Sequence, residues 1–505
     1  MKPGTPLLTG LLIGGTLLSH HSFAAEWERS GGVSLNTFYS ENICLSTDEP
    51  VGRSATTVTP TLRISGQGAR ANLSLNAAIT YNYLADSSLE CNVGQSALLT
   101  NRQAVIPSLR YLGELELVEN WLTLESDAVV SRNPINPFAA GGTNRFDGRN
   151  NINITTQYGA GARVQRRIAD NADLRLRYYH NEQQNAVSLF GDSSEDRGEF
   201  NLGSRQNGNR LSLGIAGRYS KFTFDPSELR PAFDNTLSSA EATAALQLVA
   251  GWQIEFLLGQ EWNQFISTSP DIDGSYWDVG LRWAPIERVN VSLGYGERFF
   301  GRTPRMSVSY RHRRSTVVVD YARSLTIPRN LRASSQVSGD ISGDIVVPEF
   351  DQLPGDPLTV NGEPTFIGDT PIINERLNVR YSYSARRSTI TVRATDSRQL
   401  RTADSGEATF TDLNVVFTRS LSAALSGNIR VLVSEREGQG GNVGFFGQNS
   451  ETWRAGVGLS RSLGPNTSMN LGYDYTRRDS DADFILNAFN QFEENRVTLS
   501  LQHQF

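Results

Sequence analysis

A side chain able to shuttle protons near neutral pH is most simply a histidine. Three follow residue 24: His180 in RLRYYHNEQQ, His312 in HRRS and His503 in NRVTLSLQHQF. To activate a nucleophile, one of them must meet a serine and an orienting acid, and the sequence holds no nucleophile-elbow serine pattern. Metal-ligand spacing is absent as well. GAGAR at 159–163 lacks the third glycine and the following helix that a phosphate cradle needs. The chain therefore reads as a non-enzyme without cofactor or metal, and its lone histidines as ordinary wall residues.

Arginine behaves differently. Of 47 basic residues only Lys2 and Lys221 are lysine, so nearly every positive charge is a planar guanidinium that stays protonated and can hold an oxyanion through two hydrogen bonds. Arg163, Arg175, Arg177, Arg282, Arg311, Arg380, Arg393, Arg430 and Arg496 fall at the polar positions of alternating segments. Charged rings along a water-filled passage set its selectivity, which makes these nine candidates for lining an anion-favouring pore. Glu125, Asp127, Glu255, Glu261, Asp278 and Asp474 sit at equivalent positions. A polar interior of neutralising pairs is thus the alternative.

What positions these residues is a two-residue period. In the closing segment Val497, Leu499, Leu501, His503 and Phe505 share one face, and Arg496, Thr498, Ser500, Gln502 and Gln504 the other. ANLSLNAAITYNYL, ERLNVRYSYS and TSMNLGYDYT follow the same plan, and no stretch shows convincing helical periodicity. Each face has its own solvent, lipid outside and water inside.

Links between the segments alternate in length. SLGPN, ARRS, HRRS, APIER and IADNAD are tight, while 479–491, 437–450, 399–407, 325–374, 266–274, 225–237 and 131–150 are long and polar. Outer-membrane barrels have this asymmetry, with short periplasmic turns and longer external loops. The reading is all-β: a transmembrane antiparallel up-and-down β-barrel of about 22 strands, range 18 to 24, without a plug domain. An unpaired amide in hydrocarbon costs several kcal/mol, so the last strand must close on the first, near GGVSLNTFYS. An even count returns both termini to the periplasm. Barrels of this size include plugged, ligand-gated transporters, but nothing between Ala25 and the first strand has the length for a plug.

The amino terminus supplies the compartment. Lys2, an apolar run from Leu7 to Leu18, and Ser22 and Ala24 at small-residue positions read as a signal peptide, residues 1–24, ahead of a single barrel domain, 25–505. The run is shorter than the ~20 residues a spanning helix needs. A formal charge of −6 argues against nucleic-acid binding. Cys44 and Cys91 lie in the first two long loops, on one side of the membrane and in an oxidising export route, and are expected to form a disulfide. The segment 325–374, with six prolines, either folds into the mouth as a constriction or stays at the surface. RNPINPFAAGGTNRFDG at 132–148 has the turn chemistry of an ordered loop.

Val497, Leu499, Leu501 and the terminal Phe505 resemble the carboxy-terminal signal that barrel-assembly machinery reads, with His503 as a departure. Trp27 with NTFYSENICL, the NPFAAGGTNR loop, and SLGPNTSMNLGYDYTRRDS through ENRVTLSLQHQF are similar to the outer-membrane proteins associated with PEP-CTERM/exosortase systems. That resemblance implies a Gram-negative outer-membrane barrel working beside exopolysaccharide export, and brings no catalytic residues. The expected function is a porin-like channel or export pore for hydrophilic solutes, an anionic exopolysaccharide being one. Its expected partners are outer-membrane lipid, the assembly machinery and polysaccharide or export components. A structural barrel whose external loops bind a partner is the other reading.

Overall fold

The computed structural model describes residues 26–46, 50–84, 105–134, 152–169, 172–187, 191–204, 210–227, 231–329, 370–439, 449–480 and 491–505. The predicted signal peptide, Cys91, loop 132–148 beyond Pro134 and most of 325–374 lie outside these residues. All the strands belong to one antiparallel sheet that closes on itself. The first is β1 (Glu26–Ser40) and the last β23 (Phe492–Gln504). They pair from Gly32 opposite Gln504 to Ser40 opposite Arg496, and the Phe505 amide donates to the Gly31 carbonyl at 2.8 Å. Closure is where the sequence places it, and no strand edge meets lipid unpaired.

Two short pieces, β14 (Gly301–Arg302) and β15 (Arg305–Arg311), pair with the same neighbour, β13 (Val289–Arg298). They are one wall strand interrupted at Pro304, which has no amide to donate to the ladder. The wall therefore has 22 strands. One end of the barrel carries short links, such as 68–70, 250–251 and 463–466, and the other carries long ones, such as 41–52, 85–104 and 327–371. Glu26 and Phe505 both lie at the short-turn end. No helix among the described residues is long and apolar enough to cross a membrane.

Strands run further toward the long-loop end than the apolar alternation indicates. β18 (Ser388–Arg401) and β19 (Glu407–Ser420) leave only 402–406 of the predicted link 399–407. A tilted strand needs about 9–11 residues to cross the bilayer. These hairpins continue past the lipid, where both faces meet water and the alternation in hydrophobicity disappears.

The outer face is apolar and bare. Val497, Leu499 and Leu501 are 47%, 48% and 42% exposed, while Arg496 between them and the pore is 7% exposed. All seven tryptophans face outward or stand in turns at the rim: Trp27, Trp121, Trp252 and Trp283 toward the short turns, Trp262, Trp277 and Trp453 toward the loops. These are the two girdles expected where amphipathic rings meet headgroups. Phe505, 73% exposed, joins the lower one with His503 edge-on at 5.0 Å. Among the described residues, small apolar clusters sit at the long-loop end: Phe38, Ile43, Cys44 and Ala55 form one, and Phe222, Phe224 and Ile327 another. Cys44 is disulfide-bonded.

Candidate functional site: an arginine-rich lumen

Strand register fixes which side chains face the interior. Because Leu499 and Leu501 face lipid, Arg496 and its cross-strand partner Asp474 face inward, and the parity carries from strand to strand around the sheet. By that parity each of the nine candidate arginines occupies an inward position, as do Glu125, Asp127, Glu255, Glu261, Asp278 and Asp474.

The interior divides into two arcs. One runs from β4 (Val105–Val118) to β12 (Gly274–Ile286). Here Arg163 and Arg177 stand directly opposite each other on β6 (Ile152–Ala169) and β7 (Ala172–Asn185), and Glu125 joins them. Its Oε1 is 2.8 Å from Arg163 Nη1, and its Oε2 accepts from Arg177 Nε at 2.8 Å. Arg282 lies 3.2 Å from Glu255. Arg305, on the neighbouring β15, grips Asp278 at 2.6 Å. Arg298 of β13 pairs with Glu261 and stacks over the Tyr276 ring at 4.6 Å. Arginine and acid come in matched sets along this arc.

From β17 (Ile372–Ser384) to β23 the balance changes. The inward positions hold Arg376 and Arg380, Arg393 and Arg401, Arg430 and Arg436, and Arg454, Arg478 and Arg496, against Asp412, Asp474 and Glu494. Two pairs are tight. Arg430 donates from Nε and Nη2 to Asp474 at 3.0 and 2.6 Å, and Arg436 Nη2 donates to Asp412 at 2.7 Å. Gly456, opposite both Arg430 and Asp474, leaves the first pair its room. A β-carbon there would stand 2.3 Å from Asp474 Oδ1. Arg380 and Arg393 again face each other across a strand pair, but the inward residues flanking them are Val318 and Asn414. On the described strands this arc carries more arginine than acid, and Arg401 is also met by Asp404 of the following link at 3.3 Å.

At the long-loop end the lumen is crossed. Residues 327–329 follow β16 (Ser315–Thr326) yet pack on β7, β8 (Ser193–Ser204) and β9 (Leu211–Phe224), six to eight strand positions away around the wall. Ile327 enters the cluster of Phe222 and Phe224, with Phe233 and Leu237 against it. Arg329, 1% exposed, donates to the Asn181 side chain at 2.5 Å and lies 3.9 Å from Glu195. Burial pushes its guanidinium down to about 10, so it stays charged at neutral pH. A second tie joins links 265–273 and 402–406, where the Thr268 amide donates to the Thr402 carbonyl at 2.7 Å.

No family model and no curated protein matches the chain. Among solved structures, the ferric enterobactin receptor of Pseudomonas aeruginosa in complex with enterobactin aligns at a TM-score of 0.52 and 13% identity, over 95% of this chain and 81% of that one. The FrpB iron transporter of Neisseria meningitidis aligns at 0.51 and 11%, over 95% and 83%. The siderophore receptor PirA of Acinetobacter baumannii aligns at 0.51 and 9%, over 95% and 80%. The chain shares the fold of these proteins' barrels, a closed antiparallel sheet of 22 strands. At such identities the likeness concerns the fold and assigns no residue of the lumen a role.

Of the histidines, His180 faces outward beside Asp196 at 2.9 Å, His503 meets Thr467 at 2.9 Å, and His312 stands in a short turn. They do not converge. The sequence reading passed over Arg329, which nothing in RSLTIPRN marks. It also passed over Arg401 and Arg478, which lie where strands outrun the apolar pattern. Arg376 shares the parity of Arg380 and was legible.

Proposed function

We propose that this barrel is a conduit for hydrophilic, anionic solutes across the outer membrane, with no separate plug domain and no covalent chemistry, both termini facing the periplasm. The observation that carries this reading is the arc β17–β23, where nine inward arginines stand against three inward acids on the described strands. A fixed positive field on one side of a wet passage lowers the energy of an anion within it. Neutralising pairs, the alternative expectation, describe the opposite arc, where Glu125 holds both Arg163 and Arg177.

The resemblance to barrels of PEP-CTERM/exosortase systems supports an anionic exopolysaccharide as the solute and export as the direction, with the assembly machinery reading Val497, Leu499, Leu501 and Phe505. The receptors with similar folds handle iron complexes, enterobactin in one case. That makes uptake of a chelated anion the rival within the same class. Planar-bilayer recording of the purified barrel tests the proposal. An ohmic conductance whose reversal potential in a salt gradient shows preference for chloride is expected. A silent or cation-selective barrel defeats the reading and leaves a surface-binding role for the external loops.

A further inference from the structure

The short-turn rim is as uneven as the lumen. Links 312–314 and 385–387 present Arg313, Arg314, Arg386 and Arg387, all exposed. The turns stand side by side: the Ser384 amide donates to the Arg314 carbonyl at 2.8 Å, and the Ser420 amide to the Arg387 carbonyl at 2.8 Å. Next along the rim come Arg419 and Arg461, near the ends of β19 and β21 (Asn449–Ser462). In the links from 287–288 to 463–466 on this side, Glu287 is the one acid. None of the six guanidinium groups forms an ion pair among the described residues. On the opposite side of the rim, by contrast, Arg70 is held by Glu119 at 3.0 Å.

Direction decides what the six are for. Arg419 and Arg461 have the parity of Leu413 and Leu459 and point out of the barrel, away from any solute in the lumen. Around them Leu421, Leu459 and Leu463 are 47%, 48% and 51% exposed. A charged fork set among bare leucines at the end of a spanning strand lies where acyl chains give way to headgroups. Guanidinium matches phosphate through two parallel hydrogen bonds. A soluble acidic protein would have no reason to be met by leucines.

We propose that this sector of the rim, β15 to β21, binds anionic phospholipid through its headgroup phosphate and gathers such lipid on one side of the barrel. The inference is independent of what passes through the lumen.

The intact barrel, reconstituted in nanodiscs of phosphatidylcholine with a minor fraction of phosphatidylglycerol and re-extracted in mild detergent, is analysed for retained lipid by mass spectrometry. The wild type should retain phosphatidylglycerol several-fold above its input fraction, an arginine at an anionic surface being worth roughly fivefold, and lose that excess in high salt. Arg313→Gln, Arg314→Gln, Arg386→Gln and Arg387→Gln together with Arg419→Gln and Arg461→Gln should return the retained fraction to input. Arg70→Gln, on the paired side, should leave it unchanged. All these side chains are exposed, and heat-dependent gel migration verifies that each variant is folded. Equal retention by the sixfold variant overturns the proposal. So does loss of retention from the turn changes alone with no contribution from Arg419→Gln and Arg461→Gln, which would indicate an anion site at the pore mouth.

Discussion

The two arcs of the lumen use the same side chain to opposite effect. On β4–β12 two arginines face each other and a carboxylate, Glu125, stands between them. On β17–β23 Arg380 and Arg393 face each other with a valine and an asparagine alongside. Like charges directly opposite in a sheet are destabilising, so each arrangement needs something to offset the repulsion. One arc supplies it from within the wall. Under the proposed function the other adds a passing anion to what the wall supplies. Under the proposed function the first arrangement is structural and the second contributes a field.

The largest effect should come from removing the internal counter-charge. Glu125 is 7% exposed, and Glu125→Ala leaves Arg163 and Arg177 facing each other with little water to screen them. Breaking a buried pair costs about 3–5 kcal/mol, so the temperature at which the folded band is lost on gels should fall markedly. Arg380→Gln on the other arc should lower that temperature much less, because Arg380 is exposed where Glu125 is buried. Equal losses from the two substitutions would mean that the arcs do not differ.

Selectivity is the next lever. Reversing two charges, with Arg380→Glu and Arg393→Glu, should move the reversal potential toward cation preference, each unit charge being worth about 1 kcal/mol at 4 Å even in bulk water. Glu255→Gln with Asp278→Asn removes two charges from the matched arc, and should shift the potential less and in the anion direction. A comparable swing from both pairs would place the field in the whole lumen and not in one wall.

Arg329 ties the two ends of the comparison together, since it comes from the β16 side and is held by Asn181 and Glu195 of the matched arc. Arg329→Ala removes the charged hydrogen bond and the anchor, a loss of about 2 kcal/mol. Single-channel conductance should rise while ion preference keeps its sign. An unchanged conductance would show that 327–329 decorate the mouth without narrowing it.

How much of this was legible follows from where lipid is. Inside the bilayer every strand has an oily face and a wet face, so segments such as TSMNLGYDYT declare both their type and their inward residues, and Asp474 could be placed from sequence. Above the bilayer the hairpins continue with water on both sides. There Arg401 and Arg478 look like loop residues, and part of the basic arc is hidden. Pairing was invisible for a different reason: Glu125 reaches Arg177 from 52 residues away, a contact set by barrel register, which no local pattern encodes. The latch depends on a chain segment crossing the mouth, and Ile327 and Arg329 carry no signal of that beyond the proline between them.

The smallest effect concerns how finely the basic arc is fitted. Its tightest pair, Arg430 with Asp474, exists because residue 456 has no side chain: an added β-carbon would stand 2.3 Å from the carboxylate and 2.8 Å from Arg430 Nε. Both are ends of side chains that can swing, so Gly456→Ala should cost about 1–3 kcal/mol by overpacking without unfolding the barrel. Asp474 is nearly buried on the wall and Arg430 reaches further toward water, with side-chain exposures of 4% and 23%. The guanidinium is therefore the partner that moves, into the lumen, which adds free positive charge there. Gly472→Ala serves as the reference, because its nearest neighbour would be the Val457 carbonyl at 3.9 Å. A modest stability loss with slightly stronger anion preference in Gly456→Ala, and neither in Gly472→Ala, is the expected result. Weaker anion preference in Gly456→Ala would mean that the pair, and not the excess arginine, shapes the field.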